Sequence, residues 1–493
     1  MKRVEVDVAI AGGGPVGLML ACELSLAGVK VSVFERREAR VKQSRALTLH
    51  PRSLEILALR GIAERFMARG RPLPSAHYAA LDTRLDLAAL DTTFGWTLIL
   101  PQTLTEELLE ARALELGVGI HRAHRVTGLQ QDDEGVSIEG SCPEGAFHAR
   151  SRFAVGADGA RSAVRTLAEI PFPGTEATMS VLLGDVVLSE PPSAPAVVRV
   201  GAEGTLLMMP LGDGVHHRIV VCDPDRLRVP LSEPVTLEEL SVATRKVMGS
   251  DYGMKSPFWL SRFGNETRIA STYRQGRVFL AGDAAHIHLP AGGQGLNVGL
   301  QDAMNLGWKL CGVLQGLAPA SLLDTYHRER HPVGQRLIQD TLSQSALFFG
   351  FHREGLALRE VVARLLRVPE ANRVLAEQIA ALDVAYPEAV LPAPPGMEAP
   401  PELVGRRLRD LPLPSGDGTR RSLYELLHDG KWLLIRRPGA PTATSRAPRA
   451  ELPGAWARWT SVVVADLPGE PAALRGGSAV LIRPDGRIGF VAR

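Results

Sequence analysis

Cysteine is scarce in this 493-residue chain, and what there is stands unpaired. Cys22, Cys142, Cys222 and Cys311 are scattered without C-x-x-C spacing. That excludes a redox dithiol, a zinc knuckle and a disulfide framework, and a reducing, cytoplasmic setting is expected. Charge of one sign is also missing: 56 Lys and Arg against 54 Asp and Glu leave +2. No field draws the chain to nucleic acid or to an anionic membrane. No apolar run reaches the roughly 20 residues that cross a bilayer. The opening MKRVEVDVAIAGGGPVGLMLACEL has the basic start of a leader, but Asp7, three consecutive glycines and Glu23 interrupt its apolar stretch. With 45% apolar and 22% charged residues the composition is that of a globular protein. The length points to two or three domains.

What is present in that opening reads as strand, turn, helix, strand. Val4, Val6, Val8 and Ile10 suit a buried strand, and Gly12, Gly14 and Gly17 fill G-x-G-x-x-G at its end, with Pro15 and Val16 between. The second glycine lets a pyrophosphate approach the backbone, and the third lets the helix sit close to the sheet. The helix start offers free N–H groups and a partial positive charge. After Gly28, VKVSVF makes the next strand and leaves Glu35, followed by Arg36, at its carboxyl end. Eighteen residues beyond Gly17 is where a carboxylate accepts from the ribose hydroxyls of an adenosine. The motif leaves FAD and NAD(P) both open.

Two later stretches share the strand-then-glycine form. FAVGADGARSAVRTLA (153–168) runs into Gly156, Asp158 and Gly159 before a helix. GRVFLAGDAAH ends at Gly282 and Asp283, and HIHLPAGGQGLNVGLQDAMNLGWKL follows as a glycine loop opening a helix. Leu296, Leu300, Ala303, Gly307, Leu310 and Leu314 fall on one face of that helix. Asp283, His286 and His288 are metal-ligating types, but no further ligand group lies near them, and no metal is expected. His216 and His217 are strand neighbours on opposite faces.

In order, these three motifs resemble the class A, single-component FAD-dependent aromatic hydroxylases of the p-hydroxybenzoate hydroxylase fold. The likeness spans most of residues 1–345. Within that family the chain is similar to the aromatic polyketide and rifampicin-type hydroxylases, which also carry a C-terminal extension. The resemblance implies bound FAD, transient NADPH or NADH, and O2, with a phenolic ring attacking a flavin C4a-hydroperoxide. It implies that Asp283 bonds the ribityl chain and that Pro290 lies beside the reactive edge of the ring. Gly293, Gly295, Leu296 and Asn297 would bring N–H groups to the ring carbonyl, where the helix dipole favours an anionic reduced flavin. Gln102 matches a position touching the ribityl or ring, and Arg45 one that helps control flavin position. Val126, Asp158, Gly159 and Gly282 complete the expected cofactor set. The expected catalytic set is Arg45, Pro290, Arg218 and Tyr273, the last two as candidates to activate a phenol that ionises near pH 10 when unperturbed.

The expected fold is α/β (α+β overall). A Rossmann-like FAD-binding domain occupies 1–175, with some substrate-sheet strands near 76–100, and continues over 265–390 with long helices. A β-sheet substrate domain is inserted at 176–264. After the proline-rich linker YPEAVLPAPPGMEAPPELVG, a thioredoxin-like domain without redox cysteines takes up 391–493. Trp96, Met208, Pro210, Arg218, Phe258 and Trp259 are candidates to line a water-poor substrate cavity. The expected partner is a small aromatic molecule, with neither nucleic acid nor membrane, and the chain is expected as a monomer or homodimer. The chain shows no second strand–G-x-G-x-x-G–helix unit, which disfavours Baeyer–Villiger enzymes with two nucleotide domains. It also lacks the W-x-W-x-I-P segment of flavin halogenases. Baeyer–Villiger or epoxidising oxygenation on this scaffold, and a catalytically silent flavin-binding assembly subunit, remain as alternatives.

Overall fold

The structure, a computed structural model, describes residues 2–194, 196–414, 420–438 and 454–492. Its first layer is a sheet in the order Arg274–Gln275, Val278–Leu280, Gly145–Gly156, Lys2–Ala11, Val31–Glu35, Gly119–Arg122. The last five of these strands run parallel, and Arg274–Gln275 is an antiparallel edge. Val8–Ala11 and Val31–Glu35 are buried without alternation, as a parallel sheet covered on both faces requires. Ala11 pairs with both Phe34 and Gly156, and Gly156 pairs with Leu280. The strands carrying the three motifs therefore end side by side, although their sequence positions are far apart.

The second layer is an antiparallel sheet in the order Val197–Gly201, Gly204–Pro210, His216–Cys222, Ser180–Leu188, Met254–Gly264. Its outer face packs Leu182, Val186, Leu206, Met208, Ile219 and Val221 against Leu240, Ala243 and Val247 of the helix Leu237–Met248. Thr236 caps that helix and Gly249 ends it in the left-handed region. The strands expected to join this sheet from residues 76–100 do not. Thr97–Ile99 pairs with Thr48–Leu49 and Arg71–Leu73, and Ser75–Ala76 pairs with Leu85–Asp86. Both are small separate sheets built on local turns.

The helix Gln294–Leu314 departs from its expected one-sided character. It is buried continuously from Asn297 to Gly312. One side lies on the first helix, Pro15–Leu26, where Gly299 and Gly307 leave room for Val16 and Glu23. Another meets the C-terminal unit, with Trp308 edge-on to Trp432 and tilted against Trp459. That unit has parallel strands Trp432–Arg436 and Thr460–Val464 and an antiparallel hairpin, Ala479–Ile482 with Ile488–Ala492. The hairpin turns at Asp485–Gly486 as expected from the sequence. Arg483 in that turn reaches Glu329 of the helix Asp324–Phe348 at 2.7 and 3.0 Å. The C-terminal unit is thus packed into the nucleotide-binding unit and covers its central helix. No helix among the described residues is long and apolar enough to cross a membrane.

Candidate active site

The site grows from the row of strand ends. Gly12 has φ +107 and packs on the backbone of Ala157 and Asp158, while a Cβ at Gly17 would collide with the Gly12 carbonyl. A Cβ at Gly14 would meet nothing within 4 Å. The outer glycines are thus required by packing, and the middle one faces open space. The helix Pro15–Leu26 begins there with no side chain capping it, so its first N–H groups look into that space. Glu35 accepts from the N–H of Gly13 at 2.8 Å and of Arg37 at 2.9 Å. Each carboxylate oxygen keeps a further lone pair for a ribose hydroxyl. Arg36 is exposed and Val126 is buried at the start of the strand Arg125–Gln131. Asp158 accepts from Ala163 N–H at 2.7 Å, while its other oxygen is buried with no hydrogen-bond partner among the described residues. Gly159, at φ +83, follows it.

Asp283 opens on the other side of the cleft. Its carboxyl is accessible yet walled in. Burial pushes its pKa up, while His286 and Arg45 act to lower it, so Arg45 and Asp283 share one electrostatic environment. Gly282, φ +61, is pressed against Val16. Pro290 is exposed at the entry to the loop, and Gly292 and Gly293 have φ of +67 and +65. The helix from Gln294 again lacks a side-chain cap, leaving the N–H groups of its first turn, near Gly295 and Leu296, as free donors with the positive helix end behind them. The Asn297 side chain is not among those donors. It accepts from His50 N–H and Ser53 at 2.7 Å each and donates to the carbonyls of Thr48 and Gly293. Its carboxamide fastens the loop.

The Arg45 segment is held from two directions. Gln102 accepts from Ala46 N–H at 3.2 Å and donates to Glu106 at 2.8 Å, which spends most of its amide on anchoring that segment. Arg218 corrects an expectation. It is 3% exposed, paired with Asp185 through two bonds of 2.8 Å, and donates to the carbonyls of Ser44 and Arg45. A guanidinium so occupied binds the substrate sheet to the Arg45 segment and does not activate a phenol. Met209, Arg218, Asp185 and Trp259 are paired in register across the sheet and share its inner face. Met208, named as a lining residue, therefore points outward into the helix-covered core, and Met209 takes its place. Trp96 packs edge-on against Phe94, and Phe258 lies against His216 at the sheet end.

Tyr273 is the second correction. It is fully buried among His286, Tyr326, His327 and His331, and burial raises its hydroxyl pKa well above the ordinary value. It packs the interior behind the strand Val278–Leu280. His286 is structural as well: its Nε2 meets Asp302 at 2.9 Å. Asp302 accepts from Gly282 N–H at 3.1 Å and from Arg330 at 2.7 Å. Burial alone would raise the Asp302 pKa, but Arg330 and His286 hold it below the usual range. This anchor behind Asp283 went unnoticed in the sequence, where its signal is an acid inside an apolar helical run. Three histidines also surround the loop. His50 donates to the Gly292 carbonyl at 2.7 Å, His288 to that of Leu289 at 2.6 Å, and His77 lies close to His50. Burial pushes all three down to about 4, so they are neutral at pH 7. They leave the positive helix end and Arg45 to set the local potential.

Two uncapped helix starts facing one cleft, open space at Gly14, an unpartnered Asp158 oxygen and the accessible Asp283 fit an extended dinucleotide carrying a flavin. Comparison with known proteins agrees. Residues 5–341 match the FAD binding domain family, and 401–493 match the aromatic-ring hydroxylase C-terminal family. The uncharacterized aromatic compound monooxygenase YhjG of Bacillus subtilis is 45% identical over 488 residues, 99% of this chain and 94% of that one. A 12-dehydrotetracycline 5-monooxygenase/anhydrotetracycline 6-monooxygenase of Streptomyces rimosus is 43% identical, covering 99% and 95%. The solved structure of OxyS anhydrotetracycline hydroxylase from Streptomyces rimosus superposes with a TM-score of 0.88 at 42% identity, covering 99% and 96%. The chain belongs to the FAD-binding aromatic-ring hydroxylases and is a flavoprotein monooxygenase.

Proposed function

We propose that this enzyme hydroxylates a phenolic, polyketide-type aromatic substrate at the expense of NADPH or NADH and O2. The observation that carries the reading is the inner face of the antiparallel sheet. Its Asp185–Arg218 pair is bonded directly to the backbone of Arg45, beside Asp283. The substrate wall and the cofactor cleft are thereby one rigid unit, as positioning a ring for oxygen transfer requires. FAD, held by Glu35, Asp283 and the two helix starts, would supply hydride acceptance and oxygen activation. The protein's part is orientation, exclusion of water and electrostatics. Arg218 is sealed and Tyr273 is buried, so neither serves as base, and a substrate bearing acidic phenols of its own needs none. The tetracycline-directed relatives support a polyphenolic, multi-ring substrate.

The test is NADPH and NADH oxidation by the yellow protein, with and without a panel of phenolic polyketides, and mass spectrometry of the products. We expect one compound class to stimulate oxidation and gain a single oxygen on an aromatic ring. Ring-expanded products would replace hydroxylation with Baeyer–Villiger chemistry. No stimulation by any member would remove the proposal.

A further inference from the structure

We infer that His124, Cys142 and Glu144 form a binding site for one divalent transition-metal ion of the zinc type. The site lies on the flank of the nucleotide-binding unit, at the corner between Gly119–Arg122 and Arg125–Gln131 and the turn that links Val136–Cys142 to Gly145–Gly156. Arg125 pairs with Ser141 in the antiparallel register, which puts the next residues, His124 and Cys142, across from each other. Cys142 then pairs with Gly145 to close the turn that carries Glu144. One ligand atom from each of the three residues lies within 4.8 Å of the others.

His124 supplies the independent observation. It is 6% exposed, and its ring is wedged against Phe147 at 5.0 Å, His121 at 5.3 Å and Phe34 at 6.2 Å. Its Nδ1 donates to the Arg122 carbonyl at 2.7 Å, so Nε2 is the nitrogen left to offer a lone pair to a metal. That Nε2 is buried and meets no hydrogen-bond partner among the described residues. A histidine with one nitrogen tied to a backbone carbonyl and the other bare is the form in which imidazole ligates metals. Cys142 is a free thiol, partly accessible. On binding it would release its proton to solvent, and thiolate and carboxylate together would neutralise a dication. Imidazole, thiolate and carboxylate are all zinc donors, and a water completes a tetrahedral set. Magnesium and calcium, which take oxygen donors, do not suit this set.

The sequence hides the site because eighteen residues separate His124 from Cys142. Only the antiparallel pairing brings them together. The test uses the FAD-loaded protein kept reduced, equilibrated with Zn2+, passed through metal-free buffer and assayed by elemental analysis. We expect about one zinc per chain, with affinity reduced about tenfold or more in Cys142→Ser and in Glu144→Ala. Both positions are on a partly exposed turn, so the variants should unfold at the wild-type temperature when no metal is added. Co2+ titration should give intense ligand-field bands at wavelengths longer than flavin absorption, and these should be lost in Cys142→Ser. Wild-type protein that retains no more zinc than Cys142→Ser, or cobalt spectra identical in the two, would overturn the inference.

Discussion

Asp283→Ala should purify largely colourless, because the accessible carboxylate of the third motif is removed while its buried anchor, Asp302, stays bonded to Gly282. The ratio of flavin to protein absorbance reads this directly, and full yellow occupancy would take Asp283 out of the cofactor role. The Asp185–Arg218 pair makes a second prediction. Asp185→Leu leaves a buried guanidinium uncompensated and should cost about 3–5 kcal/mol, whereas adding Arg218→Met should recover much of that loss. Denaturation of both variants beside the wild type tests the difference. A third concerns His50, 3% exposed and held near 4. Its folded pKa lies below the unfolded value near 6.5, so the unfolded chain binds the proton first. Its contribution is intact above pH 6.5 and is lost as pH falls toward 4, by up to about 3 kcal/mol. Thermal unfolding should therefore drop over that window and less so in His50→Gln. Gly12, Gly14, Gly17 and Glu35 could be picked out in the sequence because they share one short motif whose spacing expresses one chain direction, and Asp283 because its segment resembles a family motif. Arg218 and Tyr273 were not. Their meaning lies in partners 33 to 174 residues away for Arg218 and in a cluster of four rings for Tyr273.

At the scale of elements, the glycine turn separates folding from binding. Gly14→Val adds its side chain to open space and should yield a folded protein that takes up FAD weakly. Gly17→Val drives its side chain into the Gly12 carbonyl and should yield little folded protein. Circular dichroism together with flavin uptake distinguishes the two outcomes, and equal behaviour would contradict the division of labour drawn between these glycines. The strand–helix alternation of the first unit was readable because its apolar runs and turn glycines agree with one another. The antiparallel sheet was readable as a sheet but not by face. In TLLMMP the apolar residues do not alternate, so the sequence contains nothing to say that Met209 rather than Met208 looks inward. The helix Gln294–Leu314 showed a clean apolar stripe, yet its other side is also covered, by Trp432 and Trp459. A helix pattern reports that a face is buried and cannot report a second cover supplied more than a hundred residues later. Its polar residues Asn297, Asp302, Asn305 and Lys309 are covered as well. They are interior groups with partners on other elements.

Across the whole molecule, the C-terminal unit is bound in by charge as well as by aromatic packing. Glu329 receives Arg483, Lys309 at 2.7 Å and Asn305 at 2.6 Å, and Asp485 sits against Arg483 at 2.7 Å. Arg52 donates to the Asp485 carbonyl at 2.6 Å, and Arg60 reaches the Pro484 carbonyl at 3.0 Å. Deleting residues 401–493 should leave Trp308, Lys309 and Glu329 uncovered, and the shortened chain should aggregate on expression, as the soluble fraction would show. A soluble, yellow fragment would reduce the C-terminal unit to an appendage. The sequence announced this unit as a separate α/β piece through its prolines and its hairpin turn, but not its insertion into the rest, since a single residue such as Arg483 carries no mark of its partners. The turn at 483–487 also sets a timetable. The ribosome has read every flavin-cradling residue long before it reaches Arg483, yet the helix that aims its positive end into the cleft stays half uncovered until then. A ribosome stalled after residue 400 is therefore expected to display a chain that already carries the flavin-cradling sequence yet holds FAD more weakly than the finished protein.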